Sequence, residues 1–314
     1  MCCLFGMIDY KGIVSASEKK NVLSALLYGS EERGIDASGV AYVSGGNISI
    51  YKRPVPAHQL HPNISGRCRV VMGHSRLSTQ GSEKINSNNH PFRGKVGSTG
   101  FALAHNGVIY NDARLRRELS LPKTLIQTDS YIAVQLLERE NMLDEESVGR
   151  MAEQIDGSYA FSILDRNENL YLVRGSNPLC IRHFPDRGVY IYASTENIVQ
   201  KAQCRLRGNP RKGIDVPISK GEIVRITPQG EVSRSHFTVR ESEYPYSCAH
   251  SSFLTRYDYF HTAHSNRTYI TQLKAVAQCY GFDSNEIDNL IAEGFTLTEI
   301  EDMIYDSHFM GYCF

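Results

Sequence analysis

The sequence predicts an α+β fold, because blocks of strands and blocks of helices follow one another without regular strand–helix alternation. Apolar runs typical of buried strands open the chain, return after residue 100 and follow in quick succession after residue 157. Helical periodicity dominates the region between these blocks. The pattern changes after about residue 240, where short helical segments end the sequence. We therefore predict an α+β domain over 2–240 and an aromatic-rich linker with a small helical appendage over 241–314.

Each predicted element depends on its own local pattern. The predicted strands cover residues 2–8, 40–43, 48–51, 69–72, 101–104, 159–164, 170–173, 179–182, 189–193, 222–227 and 232–237. The predicted helices cover residues from about 16 to 34, 111–119, 128–140 and 146–155. Ser15 and Glu18 form a capping box ahead of the first helix, and Ser44-Gly45-Gly46-Asn47 is typical of a hairpin turn. Residues 73–98 are polar and predict a long loop, which is usually functional inside a compact domain.

The C-terminal extension has two parts. Residues 244–269 are rich in Tyr and Phe and show little periodicity, whereas helical spacing follows them. Asp283 is a candidate N-cap, and Thr296 or Thr298 can cap a last helix. The aromatic stretch and the short helices either wrap the core or, if they are exposed, dock a partner.

Composition excludes several classes of function. The 34 basic and 34 acidic side chains balance, so there is no electrostatic reason to expect nucleic acid or an anionic membrane as a partner. No apolar run is long enough to span a bilayer and the first residues do not resemble a signal peptide, so we expect a cytoplasmic protein. The eight cysteines form no C-x-x-C pair and are expected to be reduced. His261 and His264 have a spacing typical of surface or packing residues, so neither a metal nor a cofactor is expected.

Cys2 offers nucleophilic chemistry because of its position. A small second residue permits removal of Met1, which leaves one residue with both a thiol and a free α-amine. The reference pKa values are roughly 8.5 for the thiol and roughly 7.7–8 for the amine, so near neutral pH the amine is partly available as a base. It can take the thiol proton, directly or through a water, during attack on a carbonyl carbon. Cys2 alone is weak support, since many cysteines are buried for structural reasons.

Several motifs accompany Cys2 along the chain. They are Arg33-Gly34-Ile35-Asp36-Ala37-Ser38-Gly39, Gly73-His74-Ser75-Arg76-Leu77-Ser78-Thr79-Gln80-Gly81, His90-Pro91-Phe92, His105-Asn106-Gly107, Thr128-Asp129-Ser130 and Asp156-Gly157-Ser158-Tyr159. In order and spacing they resemble the class II glutamine amidotransferases, a branch of the N-terminal nucleophile hydrolases, over roughly residues 2–235. The resemblance implies a four-layer α/β/β/α sandwich that hydrolyses the side-chain amide of glutamine.

The resemblance assigns catalytic roles to three residues. Cys2 matches the nucleophile. Asn106 and Gly107 match the oxyanion hole, with the Asn side-chain amide and the Gly backbone N–H as donors. Loss of one such donor typically costs roughly a hundred- to a thousandfold in rate. Glycine also lets the backbone approach the reacting carbonyl without a Cβ in the way.

Substrate binding falls to three further residues in the same resemblance. Arg76 matches the arginine that binds the glutamine α-carboxylate, a role suited to a guanidinium fork. Asp129 matches the carboxylate that receives the α-ammonium group. Thr79 belongs to the retained Thr-x-Gly pattern of the loop that closes over glutamine. Leu77 departs from the glucosamine-synthase branch, which usually has an aromatic residue there, and this puts lid closure and ammonia shielding in question.

Each of these residues also has a purely structural interpretation. Arg76 could be a surface loop residue, Asp129 a helix N-cap, and Asn106-Gly107 a type I′ turn. Their occurrence together with Cys2 favours the catalytic interpretation. Cys3 points to the opposite face of a strand from Cys2, so we expect it to pack in a sheet interface.

The sequence does not show where the ammonia is used. Family members normally pass it to a sugar isomerase, phosphoribosyltransferase, asparagine synthetase or glutamate synthase domain. The residues after 240 are too few for such a domain and contain no P-loop. We expect an ammonia-accepting partner protein, and a homo-oligomer is compatible with the sequence. The alternatives are a free-standing amidohydrolase acting on glutamine or a γ-glutamyl compound, and a catalytically silent regulatory subunit that binds an amino acid.

Overall fold

The computed structural model describes residues 2–208 and 213–240, and beyond them residues 270, 273–274, 277–278, 282–293, 295, 300 and 303. The chain divides into two compact units, Met1–Ser242 and Glu243–Phe314. The sheets and the predicted site residues lie in the first unit, and the described elements of the second unit are helical.

The first unit contains strands and helices in blocks, as the sequence predicts. Its strands are β1 (Cys3–Asp9), β2 (Ala37–Ser44), β3 (Asn47–Arg53), β4 (Val70–Arg76), β5 (Phe92–Val96), β6 (Thr99–Ile109), β7 (Gly157–Asp165), β8 (Leu170–Arg174), β9 (Cys180–Phe184), β10 (Val189–Ala193), β11 (Ile214–Asp215), β12 (Glu222–Ile226) and β13 (Val232–His236). Its α-helices are α1 (Ala16–Ser30), α2 (Asp112–Glu118), α3 (Tyr131–Leu137), α4 (Glu145–Gln154) and α5 (Glu196–Gln203).

Two antiparallel sheets organise these strands. The first is seven-stranded, in the order β11-β9-β10-β1-β4-β2-β3, and the second is six-stranded, in the order β13-β12-β8-β7-β6-β5. Strand β1 is central in the first sheet and pairs with both β10 and β4. The start of β1 therefore lies beside the end of β4, and Cys3 pairs with Ser75.

Three apolar clusters separate the layers. Leu4 and Met72 of the first sheet pack with Ala104 and Leu164 of the second in the cluster between the sheets. Helices α1 and α5 cover the outer face of the first sheet, and α3 and α4 cover the outer face of the second. The predicted four-layer α/β/β/α sandwich is thus confirmed, and burial of these clusters is the main force that holds the layers together.

Helix α1 begins where the sequence predicts, but only half of the expected capping box forms. The Ser15 hydroxyl accepts a hydrogen bond from Glu18 N–H at 3.3 Å. The Glu18 carboxylate is buried and receives Arg187 Nη2 at 2.9 Å instead of returning to the N-cap. The helix ends at Ser30, a few residues before the predicted end near Gly34.

The predicted 73–98 loop is the main error of the sequence-based assignment. Strand β4 continues through His74, Ser75 and Arg76, all of which are buried. Polar residues in a buried strand carry no hydropathy signal, so the strand end was placed too early. The same segment contains β5 and a 3-10 turn over Asn86–Asn88. Helix α5 was not predicted.

The second unit is described only in part. Helix α6 (Ser284–Ala292) begins at Asp283, whose side chain forms a capping box with Glu286, as the sequence predicts for this N-cap. Leu273, Ala277, Ile287 and Ile300 form a small apolar cluster. The aromatic stretch 244–269, the pair His261 and His264, and the caps Thr296 and Thr298 lie outside the described residues. No helix in the described part of the chain is both long and apolar enough to cross a membrane.

Candidate active site

A pocket lies where the start of β1, the end of β4 and the second half of β6 meet. It is lined by Cys2, Arg76, Leu77, Thr79, Gln80, His90, His105, Gly107, Thr128, Asp129 and Ser130. The structure therefore brings together five of the six residues singled out from the sequence. The sixth, Asn106, is fully buried beside Gly107 and is not among the lining residues.

Strand β6 supplies one wall of this pocket because half of one edge is unpaired. On one side, β7 pairs with β6 along residues 101–109. On the other side, β5 pairs only with residues 99–103. In the described part of the chain, residues 105–109 of β6 therefore have no strand along that edge. Their outward-facing backbone groups are free to contact side chains or a ligand.

The ladder register decides which backbone groups face this open edge. Opposed residues of an antiparallel pair exchange both hydrogen bonds or neither. Tyr159 is opposite Gly107, and its carbonyl accepts from Gly175 N–H at 3.1 Å on the far side of β7. Gly107 therefore does not bond to β7, and its N–H points to the open edge. Two residues further on, Ile109 N–H faces the same way and donates to Asp129 Oδ2 at 2.7 Å.

Only glycine fits at position 107. Its φ is +141°, in the region that side chains rarely adopt. A Cβ added there would lie 1.9 Å from the Ser158 carbonyl oxygen. The type I′ turn interpretation of Asn106-Gly107 is wrong, since both residues lie within β6.

Asn106 is held without filling its hydrogen-bonding capacity. Its backbone carbonyl accepts from Asn177 Nδ2 at 2.9 Å. Its side-chain Nδ2 has one long contact, 3.5 Å to Ser194 Oγ. Its Oδ1 atom has no hydrogen-bond partner among the described residues. A buried amide with spare donor capacity is costly in a purely structural role, and it is suited to receive a ligand oxygen.

Cys2 is held by its backbone at the mouth of β1. Arg33 Nε donates to the Cys2 carbonyl at 2.9 Å, and the thiol contacts the Leu77 carbonyl at 3.5 Å. Burial raises the pKa of the Cys2 thiol, and the positive charge of Arg76 opposes the shift. Cys3 packs against α1 on the helix-covered face of the first sheet, the face opposite the pocket. Burial raises the pKa of the Cys3 thiol to about 12, so it stays protonated.

Arg76 is a buried cation fixed by the loop that follows it. Its guanidinium donates to Asn89 Oδ1 at 2.7 Å, to the Gln80 carbonyl at 2.6 Å and to the Gly81 carbonyl at 2.7 Å. These are neutral acceptors, so its charge is not cancelled by them. The surface-loop interpretation of Arg76 is wrong, because its residue exposure is 3%. Thr79 lies in the same loop and is exposed at the pocket rim.

Asp129 provides the opposite charge. It is buried ahead of α3, and Ser130 rather than Asp129 is the N-cap of that helix. The N-cap of α3 thus lies one residue after the position that the structural interpretation gives it. Burial raises the pKa of the Asp129 carboxyl, and the hydrogen bond from Ile109 N–H opposes this shift. A cationic group entering the pocket would stabilise the carboxylate further.

Three buried histidines cluster at one corner of the pocket, where His90 and His105 are part of the lining. The His74 and His90 rings are 4.2 Å apart, and those of His90 and His105 are 6.5 Å apart. His105 Nδ1 shares a 2.8 Å hydrogen bond with Ser130 Oγ, and both ring nitrogens of His90 lack partners in the described part of the chain. Burial lowers the pKa of His74 and of His105 to about 3 and lowers that of His90 well below its usual value. The cluster is therefore neutral near pH 7.

Comparison with known proteins gives consistent results. Residues 74–200 match the family described as the glutamine amidotransferase domain. The amidophosphoribosyltransferase of Methanocaldococcus jannaschii is 31% identical over 260 residues, which is 78% of this chain and 50% of that protein. The glutamine–fructose-6-phosphate aminotransferase (isomerizing) of Staphylococcus epidermidis is 29% identical over 190 residues, 58% of this chain and 30% of that protein. The chain contains a glutamine amidotransferase domain of class II.

The fold of this amidotransferase domain agrees with the assignment. The Bacillus subtilis glutamine phosphoribosylpyrophosphate amidotransferase, solved in complex with ADP and GMP, superposes with a TM-score of 0.61 at 18% identity. The match covers 76% of this chain and 50% of that one. The chain therefore spans half or less of the length of these relatives, which are themselves enzymes.

Sequence reasoning missed the residues that position the amidotransferase site. Asn89 holds Arg76, Ser130 links Asp129 to His105, and Asn177 holds Asn106. Asn177 is 71 residues from its partner, so no local pattern could reveal it. Ser130 and His105 belong to the Thr128-Asp129-Ser130 and His105-Asn106-Gly107 motifs, whose patterns do not by themselves indicate a role for either residue. Among the residues that the structure describes, no group of three His, Cys, Asp or Glu could hold a metal ion.

Proposed function

We propose that residues 2–240 hydrolyse the side-chain amide of glutamine to glutamate and ammonia, with the Cys2 thiol as the nucleophile. The observation that carries the proposal is the grouping of a thiol, a guanidinium, a carboxylate and an unpaired backbone N–H around one pocket. These are the groups that an α-amino acid with a side-chain amide needs. The family assignment supports glutamine as that amino acid.

Arg76 and Asp129 account for recognition of the substrate's two charges. The α-carboxylate pairs with Arg76, whose remaining N–H groups are free of carboxylate partners among the described residues. The α-ammonium pairs with Asp129, whose Oδ2 is already held by Ile109 N–H. Thr79 closes over the bound amino acid from the rim. The α-carboxylate and the α-ammonium of the amino acid are thereby both paired inside a buried site. An analogue that lacks either charge would leave Arg76 or Asp129 without its partner.

The chemical steps use Cys2 after removal of Met1. The Cys2 sulfur bonds to the amide carbon while the thiol proton moves to the Cys2 α-amine. The negative oxygen of the tetrahedral intermediate accepts from Gly107 N–H and Asn106 Nδ2. The C–N bond then breaks, the amine returns its proton to the nitrogen, and ammonia leaves a γ-glutamyl thioester. Water attacks this thioester, and its cleavage releases glutamate and restores the thiol.

The electrostatics of Cys2 favour base-assisted attack. In the chain that still carries Met1, burial raises the pKa of the Cys2 thiol above its ordinary value, which favours the protonated thiol. A thiol of that kind needs a base during attack, and the α-amine of the same residue has a suitable reference pKa of roughly 7.7–8. While Met1 is attached, the backbone nitrogen of Cys2 is part of a peptide bond and cannot act as a base. Removal of Met1 converts it into the free α-amine.

We also propose that the released ammonia is used by a separate acceptor protein. The names of the relatives describe transfer to phosphorylated acceptors, so the ammonia is expected to have an acceptor here as well. Glutaminase turnover measured alone and with co-purified proteins tests this point. A large increase on adding one partner is expected, and a full rate without any partner would favour a free-standing amidohydrolase.

Replacement of Cys2 tests the main proposal. Cys2→Ala should abolish glutamate release, and Cys2→Ser should reduce it severely, since the hydroxyl is a weaker nucleophile. The matched control is Cys3→Ala, which removes the neighbouring thiol from the opposite face of β1 and should keep the activity. Full glutaminase activity in Cys2→Ala would contradict the assignment. An inactive wild type that still binds glutamine would support the silent regulatory subunit.

A further inference from the structure

Asn177 has no role in the chemistry described above, yet it touches the centre of the proposed oxyanion hole. It lies beyond the end of β8, with 9% of its surface exposed. Its backbone N–H donates to the Tyr159 carbonyl at 3.3 Å, which fixes its main chain to β7. Its side-chain Nδ2 donates to the Asn106 carbonyl at 2.9 Å. Asn177 is therefore held by one hydrogen bond from its backbone and one from its side chain, and the position of its side-chain amide is well defined.

The ladder with β7 already directs the Asn106 carbonyl away from the open edge, and the bond from Asn177 adds a second restraint on this peptide and so on the direction of Gly107 N–H. A trans peptide is planar, and its C=O and N–H point in opposite directions. The Asn106 carbonyl and the Gly107 N–H belong to the same peptide. Holding the carbonyl toward Asn177 therefore holds the N–H toward the open edge of β6, where the pocket lies.

A second contact supports the same role. The position that a Cβ would take at Gly107 is 2.8 Å from Asn177 Nδ2. The Asn177 amide thus lies directly against Gly107, in the space that a side chain at position 107 would occupy. The amide therefore restrains the Asn106–Gly107 peptide and fills the space beside it. Gly107 has no side chain, and its φ is +141°, so its own backbone is only weakly restrained by sterics.

We propose that Asn177 is a positioning residue for the oxyanion hole. It holds the Asn106–Gly107 peptide so that Gly107 N–H meets the oxygen of the tetrahedral intermediate. A hydrogen bond donated to a peptide carbonyl also polarises the N–H of that peptide, so Asn177 makes Gly107 a stronger donor. The inference rests on the proposed glutaminase function, because it concerns the transition state of that reaction.

The expected effect falls on kcat and not on KM. The glutamine charges bind Arg76 and Asp129, neither of which contacts Asn177 among the described hydrogen bonds. Asn177→Leu and Asn177→Asp keep a similar shape, and neither Leu nor an ionised Asp can donate to the Asn106 carbonyl. Each should lower kcat roughly ten- to a hundredfold with KM nearly unchanged, since misplacement of a catalytic group by about 1 Å costs on that order.

The decisive measurement uses the γ-aldehyde analogue of glutamine. The Cys2 thiol adds to the aldehyde carbon and its proton moves to the oxygen, which gives a tetrahedral adduct whose oxygen lies in the oxyanion hole. If Asn177 positions that hole, the inhibition constant of the aldehyde should rise by about the same factor as kcat falls. Ser176→Ala, an exposed neighbour, serves as the control.

Loss of folded protein is separated from loss of catalysis by counting active sites. Labelling with a glutamine-mimicking diazoketone gives the fraction of competent enzyme, and kcat is expressed per labelled site. Wild-type kcat and wild-type aldehyde inhibition in both Asn177 variants would overturn the inference while leaving the proposed function intact. A loss of kcat without weaker aldehyde inhibition would also overturn it. A wild-type protein that neither releases glutamate nor binds the aldehyde would overturn the proposed function itself.

Discussion

The two halves of strand β6 differ in what their edges do. Residues 99–103 lie between β5 and β7, and both edges of the strand are used in sheet pairing. Residues 105–109 continue along β7 but have no described strand on the other side. There the His105 carbonyl accepts from His74, Ile109 N–H donates to Asp129, and Gly107 N–H faces the pocket.

The difference shows how a sheet becomes a binding site. A paired edge has its N–H groups occupied, whereas an edge without a neighbour offers them to ligands and charged side chains. Strand β5 begins at Phe92, directly after Pro91, so the pairing with β6 ends at Leu103. Extending the β5 register by two residues would set His90 opposite His105, and the histidine rings occupy that corner instead.

The strongest test of the difference between the two halves of β6 is to add one methyl group in each half. Gly107→Ala places a Cβ against the Ser158 carbonyl at a φ of +141°, so Gly107 N–H must move. We expect kcat to fall roughly a hundred- to a thousandfold, as for loss of an oxyanion donor. Steady-state glutaminase kinetics measure it.

Gly100→Ala is the matched control in the paired half. No atom lies within 4 Å of the added Cβ there, so activity should stay near that of the wild type. Circular dichroism of both variants checks that the fold survives. Equal activities of Gly107→Ala and Gly100→Ala would show that the open half of β6 has no special role.

The next largest effect is expected from replacing Asp129, the carboxylate that accepts from Ile109 N–H at the open edge of β6. Asp129→Asn keeps an oxygen for Ile109 N–H but removes the charge that pairs with the substrate ammonium. Loss of one partner of a buried charge pair typically costs about 2 kcal/mol or more, so KM for glutamine should rise roughly thirtyfold. The control is Asp112→Asn, which removes a carboxylate from α2 outside the pocket lining. A wild-type KM in Asp129→Asn would exclude the ammonium-binding role.

The histidine corner predicts the dependence of stability on pH. The pKa values of His74 and His105 are about 3 in the folded state, against a reference of roughly 6.5 in the unfolded chain. The unfolded state therefore binds more protons between these values, and stability is complete above pH 6.5 and lost as the pH falls. At pH 5 each such histidine costs about 2 kcal/mol of unfolding free energy.

Replacing His90 isolates one of these contributions. His90→Phe keeps a ring against His74 and loses no hydrogen bond, because both nitrogens of His90 lack described partners. The loss of unfolding free energy between pH 7 and pH 5, measured by urea unfolding, should shrink by about 2 kcal/mol. Exposed His61→Phe is the control. An unchanged pH dependence in His90→Phe would show that His90 does not resist protonation in the folded state.

The sequence predicted those features that depend on local pattern. Hydrophobic periodicity located most strands and helices, and motif spacing brought out Cys2, Arg76, Thr79, Gly107 and Asp129, which meet in one pocket. Asn106 was predicted in the same way and lies behind the lining. The end of β4 was misplaced because buried His74 and Ser75 appear polar in sequence.

Features that depend on long-range contacts could not be predicted. The open edge of β6 depends on where β5 stops, and β5 itself was hidden within a polar segment with alternating exposure. Asn177 bonds to Asn106, and Asn89 accepts from Arg76, in each case across different segments of the chain. A single Asn in the sequence does not indicate such a partner. Such positioning contacts are visible only in three dimensions.

The most direct test of the account is the site of covalent labelling by a glutamine-mimicking diazoketone. We predict one adduct per chain, on the sulfur of Cys2 in a peptide that begins with Cys2, with complete loss of glutaminase activity and protection by glutamine. Intact mass and peptide mapping measure both the adduct and the absence of Met1. An adduct on another cysteine, or full activity in protein that retains Met1, would contradict the central claim that Cys2 is an N-terminal nucleophile.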